Sequence, residues 1–180
     1  MSSTLVVHSS PSPRSRIATI VDAVCTHASR FGRPAAALDL RSLPSSALLV
    51  GDREHPTVRG AHRLLADADA VVTVTPAHNG SVAPLLRAWL DVLPPVGLRG
   101  RTVQPVGLGA VRGQSTGLDY VLGPTFAKHG ASVVLPASFL LDHSFEPTGT
   151  GWSLQPWARR GLLRALDAVV TSGPALPVAS

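Results

Sequence analysis

The chain has 180 residues, 44% of them hydrophobic and 15% charged, which is enough to bury a core and excludes a disordered chain. Its formal charge of +5 comes from fifteen scattered arginines and a single lysine, Lys128, and only 4% of residues are aromatic, so there is no basic stripe interleaved with stacking rings for nucleic acid. No apolar run approaches the roughly 20 residues of a membrane span, no basic segment precedes the first apolar run as in a secretory leader, and the lone Cys25 excludes an intramolecular disulfide, so a cytoplasmic protein is expected.

Strand and helix signals alternate along the chain. Thr4–Val7 is a short apolar run, followed by a Ser/Pro/Arg loop from Ser9 to Arg16. Ile17, Ile20, Val21 and Val24 then recur at helical spacing. Pro34 precedes a second strand over Ala35–Leu40, and 41–56 reads as irregular because of Pro44, Gly51 and Pro56. Val58, Ala61, Leu64 and Leu65 predict a helix over Thr57–Asp67, and Ala70–Thr75 predicts the third strand. A helix from about Val82 to Leu93 is ended by Pro94-Pro95. The fourth strand is Thr102–Leu108 despite Pro105, and Ser115–Lys128 is helical with Pro124 as an expected kink or break. A fifth strand starts over Ser132–Leu135, residues 142–155 read as loop, and Pro156–Val170 as a last helix.

Five strands alternating with five helices predict an α/β fold, a five-stranded parallel sheet covered on both faces, with the flavodoxin-like order 2-1-3-4-5 as the simplest arrangement. There is neither internal repeat nor linker, so residues 1–180 are expected to form one domain, with a flexible tail from about 172. No cluster of metal-ligating residues is singled out.

That order brings three loops to one sheet edge. The first, His8 to Arg16, carries four serines and two arginines ahead of a helix, whose unsatisfied N–H groups favour an anion such as a monophosphate. The same residues also suit simple capping by Ser12 or Ser15. It matches neither GxxxxGKS nor GxGxxG. The second, Thr75-Pro76-Ala77-His78-Asn79-Gly80-Ser81, offers backbone N–H groups and one flat ring, His78; alone it is an ordinary turn. The third, Gly107-Leu108-Gly109-Ala110-Val111-Arg112-Gly113-Gln114, has glycines just past a strand, suited to close backbone approach or to a flexible connection.

At these residues the chain resembles the NAD(P)H-dependent FMN reductases of flavodoxin-like fold, and most closely their alkanesulfonate-system type. The family's GSPR…S phosphate loop has its counterpart in His8-Ser9-Ser10-Pro11-Ser12-Pro13-Arg14-Ser15. Its strand-three motif, TPxYxxxxxxxLKxxLDxLP, has its counterpart in Thr75 to Pro94, with Leu85, Leu86, Arg87, Leu90, Asp91 and Leu93. Leu98-Arg99-Gly100-Arg101-Thr102-Val103-Gln104-Pro105 and Asp119-Tyr120-Val121-Leu122-Gly123-Pro124 follow two further family patterns. The resemblance implies FMN as cofactor and NAD(P)H as co-substrate. Ser9, Ser12, Arg14, Ser15 and Arg16 would hold the phosphate. Pro76, Ala77, His78, Asn79 and Gly80 would lie along the isoalloxazine, with Gly109, Ala110, Arg112 and Gly113 closing the other side. His78 and Tyr120 are the candidates near the ring, and no catalytic side chain is required for hydride transfer. It further implies a homodimer or homotetramer, and reduced flavin supplied to a partner monooxygenase. A tightly FMN-bound quinone, azo or metal reductase and a non-catalytic flavin-binding protein remain as alternatives. Two positions depart from the family: His8 stands in place of a glycine, and His78 in place of an aromatic.

Overall fold

The computed structural model describes residues 3–78 and 81–171, with His78 described in its backbone alone. Strand β1 (Thr4–His8) is the centre of a parallel ladder with β2 (Ala35–Asp39) on one side and β3 (Ala70–His78) on the other. Beyond β3 lies β5 (Thr102–Gly109), and beyond β5 lie two short segments, β6 (Val133–Val134) and β7 (Ser138–Leu141), both parallel to it. The expected order 2-1-3-4-5 is therefore observed, with the fifth position shared by two segments. A two-residue strand β4 (Ser81–Val82) runs antiparallel to the end of β3 and adds the one further pairing to this sheet.

The strands read as apolar runs because both faces are covered. Val6, Val72, Val74, Val106 and Leu108 face α1 (Arg16–Arg30) and α6 (Pro156–Thr171). Leu5, Val7, Val71 and Val103 face the side of α3 (Pro56–Ala66), α4 (Pro84–Asp91) and α5 (Gln114–Lys128). Trp89 and Phe126 are the largest fully buried side chains there, each stabilising by about 2–3 kcal/mol through apolar burial.

Helix boundaries follow local chemistry. Ser15 caps α1, its side chain accepting from the Ala18 amide at 3.1 Å. Pro84 sits in the first turn of α4, where its missing N–H costs nothing.

Four sequence expectations are corrected. Residues 41–56 are not wholly irregular: after a 3-10 turn (Leu40–Ser42) they hold the six-residue α2 (Ser45–Val50), which starts at Pro44 and stops at Gly51 with φ 71°. Those two residues are helix punctuation, but six residues show too little periodicity to be read. Residues 142–155 are not a loop but a 3-10 turn (Asp142–Ser144) and a hairpin of β8 (Phe145–Thr148) and β9 (Gly151–Leu154). Val82 is the end of β4, not the start of a helix, and its pairing draws β3 on to His78. Of the kink or break expected at Pro124, the break does not occur: α5 runs through it, and although a proline removes one i→i−4 bond, the packed Leu118, Leu122 and Phe126 hold the helix on either side.

The fifth strand is interrupted at Leu135-Pro136-Ala137. Val103 pairs with Val134 but Val106 with Ser138, so one extra residue is accommodated there. Buried Gln104 spans the gap, donating from Nε2 to the Pro136 carbonyl at 2.6 Å, and the Asp119 carboxylate accepts from the Ala137 amide at 2.7 Å. The residues from 172 onward, expected as a tail, lie outside the described residues.

Candidate functional site

The carboxyl ends of β1, β3 and β5 converge, as expected, on an open cleft of about 520 Å³. It is lined by Pro11, Ser15, Arg16 and Ile17 from the first loop and α1, Pro76 from β3, and Leu108, Gly109 and Ala110 from β5. Asp142 and Trp152 complete it. Both come from the segment that the sequence suggests is loop, and neither was a candidate. The volume lies in the range of small-ligand sites.

The first loop is braced from within. Its Ser10 hydroxyl donates to the Ser12 carbonyl at 2.7 Å and is hydrogen-bonded to the Ser15 hydroxyl. The Ser15 amide donates to the Ser12 carbonyl at 3.2 Å. His8, in place of the family's glycine, accepts the Ser10 amide on Nδ1 at 3.2 Å, so its ring serves as a prop for the loop. Burial lowers the His8 pKa, with Asp39 and Asp22 acting in the opposite sense. A neutral ring is the form whose Nδ1 can accept that bond. Arg41, in the stretch read as irregular, donates from Nη1 to the Ser10 carbonyl at 3.0 Å and also to the Pro11 carbonyl. No signal in sequence spacing marks Arg41, since it reaches the loop only through the pairing of β1 with β2.

The second loop is fixed where it leaves the sheet. Buried Thr75 accepts the Ala83 amide at 3.1 Å and donates to the Pro76 carbonyl at 3.0 Å, closing the return from β3 to α4. The backbone of His78 pairs with Ser81. The side chain of His78, together with Asn79 and Gly80, lies outside the described residues. Ala77 is buried at the end of β3.

In the third loop, Gly109 and Ala110 line the cleft, but the space that a Gly109 side chain would fill is occupied. A Cβ there would stand 2.8 Å from Phe139 Cζ and 3.0 Å from the Ala77 carbonyl, with the Gln114 side chain closer still. Absence of a side chain at this glycine therefore serves packing against α5 and β7.

The candidate residues do not all meet in one place. Ser12 lies on the opposite side of the first loop, in a hollow shared with His8, Asp39 and Arg41. Arg14 is exposed, and its backbone faces Gly151 at the turn of the β8–β9 hairpin. Ser9 is half-buried and Gly113 exposed. Arg112 lines a separate cavity of about 370 Å³ with Ser115, Phe139 and Trp157. Tyr120 projects from α5 at 83% exposure. Arg16 is held more firmly: its Nη1 donates to Asp142 Oδ1 at 2.9 Å and its guanidinium lies 4.1 Å from the Trp152 ring centroid. Its Nε is buried with no hydrogen-bond partner.

The groups at this end of the cleft suit a phosphate: the Ser15 hydroxyl, the N-terminus of a 15-residue helix and Arg16. The apolar floor of Ile17, Pro76, Leu108 and Trp152 suits a flat heterocycle. The orphaned Arg16 Nε is a donor that an anion could satisfy.

The family model for NADPH-dependent FMN reductase matches residues 3–146. The chain belongs to that family. It is 28% identical over 133 residues to an FMN reductase (NADPH) of Pseudomonas putida, covering 74% of this chain and 68% of that protein. To an FMN reductase (NADPH) of Escherichia coli it is 26% identical over 104 residues, 58% of this chain and 54% of that one. An apo NADH:FMN oxidoreductase superposes on this FMN reductase family member with a TM-score of 0.85 at 25% identity, covering 98% of this chain and 92% of the other. A flavodoxin from Bacillus cereus shares the fold at a TM-score of 0.66, with 12% identity over 96% of this chain and 100% of its own. Among the described residues no metal-ligating cluster comes together, and no helix is long and apolar enough to cross a membrane.

Proposed function

We propose that this cleft is the flavin site, with the phosphate against Pro11, Ser15 and the start of α1, and the ring over Pro76 toward Gly109 and Ala110. The chain is an NAD(P)H:flavin oxidoreductase with FMN as cofactor and NAD(P)H as co-substrate. The observation that carries the site assignment is the convergence of a serine-rich helix N-terminus with Pro76 and Gly109–Ala110 on one cleft of suitable volume. Bound FMN supplies the hydride-accepting chemistry. The chain's part is to bind and orient: Ser15 and the α1 amides face the phosphate, Arg41 and His8 keep the loop in shape, and Thr75 fixes the strand end beneath the ring. The backbone N–H just beyond β5, at Ala110, is a donor available to charge developing on the ring. No acid–base side chain is assigned.

The finer reading is a reductase that releases reduced flavin to a partner monooxygenase in the cytoplasm. Support comes from a cleft that is open to solvent and lined, among the described residues, by one cation, Arg16, already paired with Asp142. We further propose that residues 1–180 form one domain and that it acts as a homodimer or homotetramer. Thr116, Tyr120, Pro124 and Ala127 form an uncharged, exposed face of α5, the kind of surface a second copy would cover.

Steady-state NAD(P)H oxidation with and without added FMN tests the reading. Turnover that rises with free FMN, and purified protein with little bound flavin, are expected. Absence of turnover with either nicotinamide would sink it. Yellow protein that reduces a quinone without losing its flavin would favour the tightly bound reductase instead.

A further inference from the structure

Asp142 is a carboxylate in a cleft otherwise built for an anion. It follows directly on β7, is 126 residues from Arg16 in the chain, and closes on it at 2.9 Å. The Arg16 side chain is 32% exposed and that of Asp142 48%, so solvent screens the pair and it adds little to stability. An ion pair this cheap to open is a poor fold anchor but a good exchangeable one. Trp152 holds the guanidinium from its face, and the buried Arg16 Nε has no partner while Asp142 occupies Nη1. Arg16 adjoins Ser15 at the start of α1, and all four residues line the same cleft. The cation best placed for a phosphate is thus already neutralised by a carboxylate of the same chain.

We propose that Asp142 competes with the flavin phosphate for Arg16, setting FMN affinity low enough for the flavin to be released after each turnover. The inference rests on the phosphate placement given above. Phosphate arriving at Ser15 takes over Arg16, whose guanidinium rests against Trp152. When the flavin leaves, the carboxylate recaptures the cation.

The test is FMN and riboflavin binding to the full-length protein, followed by flavin fluorescence, for wild type, Asp142→Asn, Arg16→Met and the double variant. Asp142→Asn keeps the shape and removes the charge. It is expected to tighten FMN about five- to tenfold, as expected for removing one like charge within a few ångströms of a phosphate, and to leave riboflavin, which has no phosphate, unchanged. In the Arg16→Met background Asp142→Asn is expected to have a much smaller effect on FMN. FMN binding by Asp142→Asn equal to or weaker than wild type would overturn the inference, as would equal shifts for FMN and riboflavin. Wild-type protein that binds neither flavin would instead overturn the flavin-site reading itself.

Discussion

Gly107 lies within β5, two residues before the cleft-lining Gly109, and its replacement by alanine tests how tightly β5 packs against α5 and β7. A Cβ at Gly107 would stand 2.7 and 2.9 Å from Phe139 Cδ2 and Cε2, and 2.8 Å from Leu118 Cδ2. Two effects oppose each other. Removing a strand glycine gains roughly 0.5–1 kcal/mol through lost freedom of the unfolded chain. Overpacking a filled interior costs about 1–3 kcal/mol. Here two side chains are hit at once and Leu118 is fully buried, so overpacking wins, with a net loss of about 1–2 kcal/mol. Gly60 supplies the control, since a Cβ there meets nothing within 4 Å and α3 is helical; Gly60→Ala should stabilise by about 0.5–1 kcal/mol. Urea unfolding followed by circular dichroism, with m unchanged, reads both. Phe139→Val in the Gly107→Ala background should recover part of the loss by opening space. A Gly107→Ala protein as stable as wild type, or a loss that Phe139→Val leaves untouched, would refute the packing account.

Ser15→Ala removes the cap on α1 and a hydroxyl of the phosphate loop; a stability loss of about 1 kcal/mol and FMN binding weakened roughly tenfold are expected from thermal unfolding and flavin titration. Arg41→Ala unties the Ser10 and Pro11 carbonyls, and should weaken FMN severalfold with little change in riboflavin. Stability should also depend on pH through His8 and His62, whose pKa values both lie below the ordinary imidazole value because of burial. Such groups take up fewer protons folded than unfolded, so stability holds above about pH 6.5 and falls as the pH drops below it. His8→Asn, which keeps an acceptor for the Ser10 amide but does not titrate, should flatten part of that fall in urea midpoints. Tyr120→Asp should shift the elution volume toward the monomer if α5 carries the subunit contact.

Strand order and both helical layers were legible because β1, β3 and β5 are buried on both faces and read as apolar runs; part of the cleft was too, since Pro76 and Gly109 stand near the carboxyl ends of β3 and β5 and Ser15 caps the helix that follows β1. Parts that depend on contacts distant in the chain were not. Arg41 clamps the first loop only because β2 pairs with β1, and Asp142 and Trp152 arrive from a short 3-10 turn and from the hairpin after it, whose four-residue strands are separated by Gly149 and Thr150. Arg112 was read as a neighbour of Gly109 in sequence, but the turn into α5 directs it to a different cavity. The glycines of the third loop were legible as a demand for space, but not whether ligand or protein would fill it; Phe139 and Leu118 do so at Gly107, Phe139 and Gln114 at Gly109, and at Gly113 nothing among the described residues stands within 4 Å.

The split fifth strand has a consequence for how these molecules behave toward one another at high concentration. A sheet edge with a long row of unpaired amides and carbonyls is a template on which another chain can add a strand. Here that edge has two residues in β6 and four in β7, with Pro136 between them offering no N–H and an extra residue shifting the register. A neighbouring chain laid along it finds no continuous ladder, so the interruption guards this side of the molecule against intermolecular strand addition and the aggregation that follows from it.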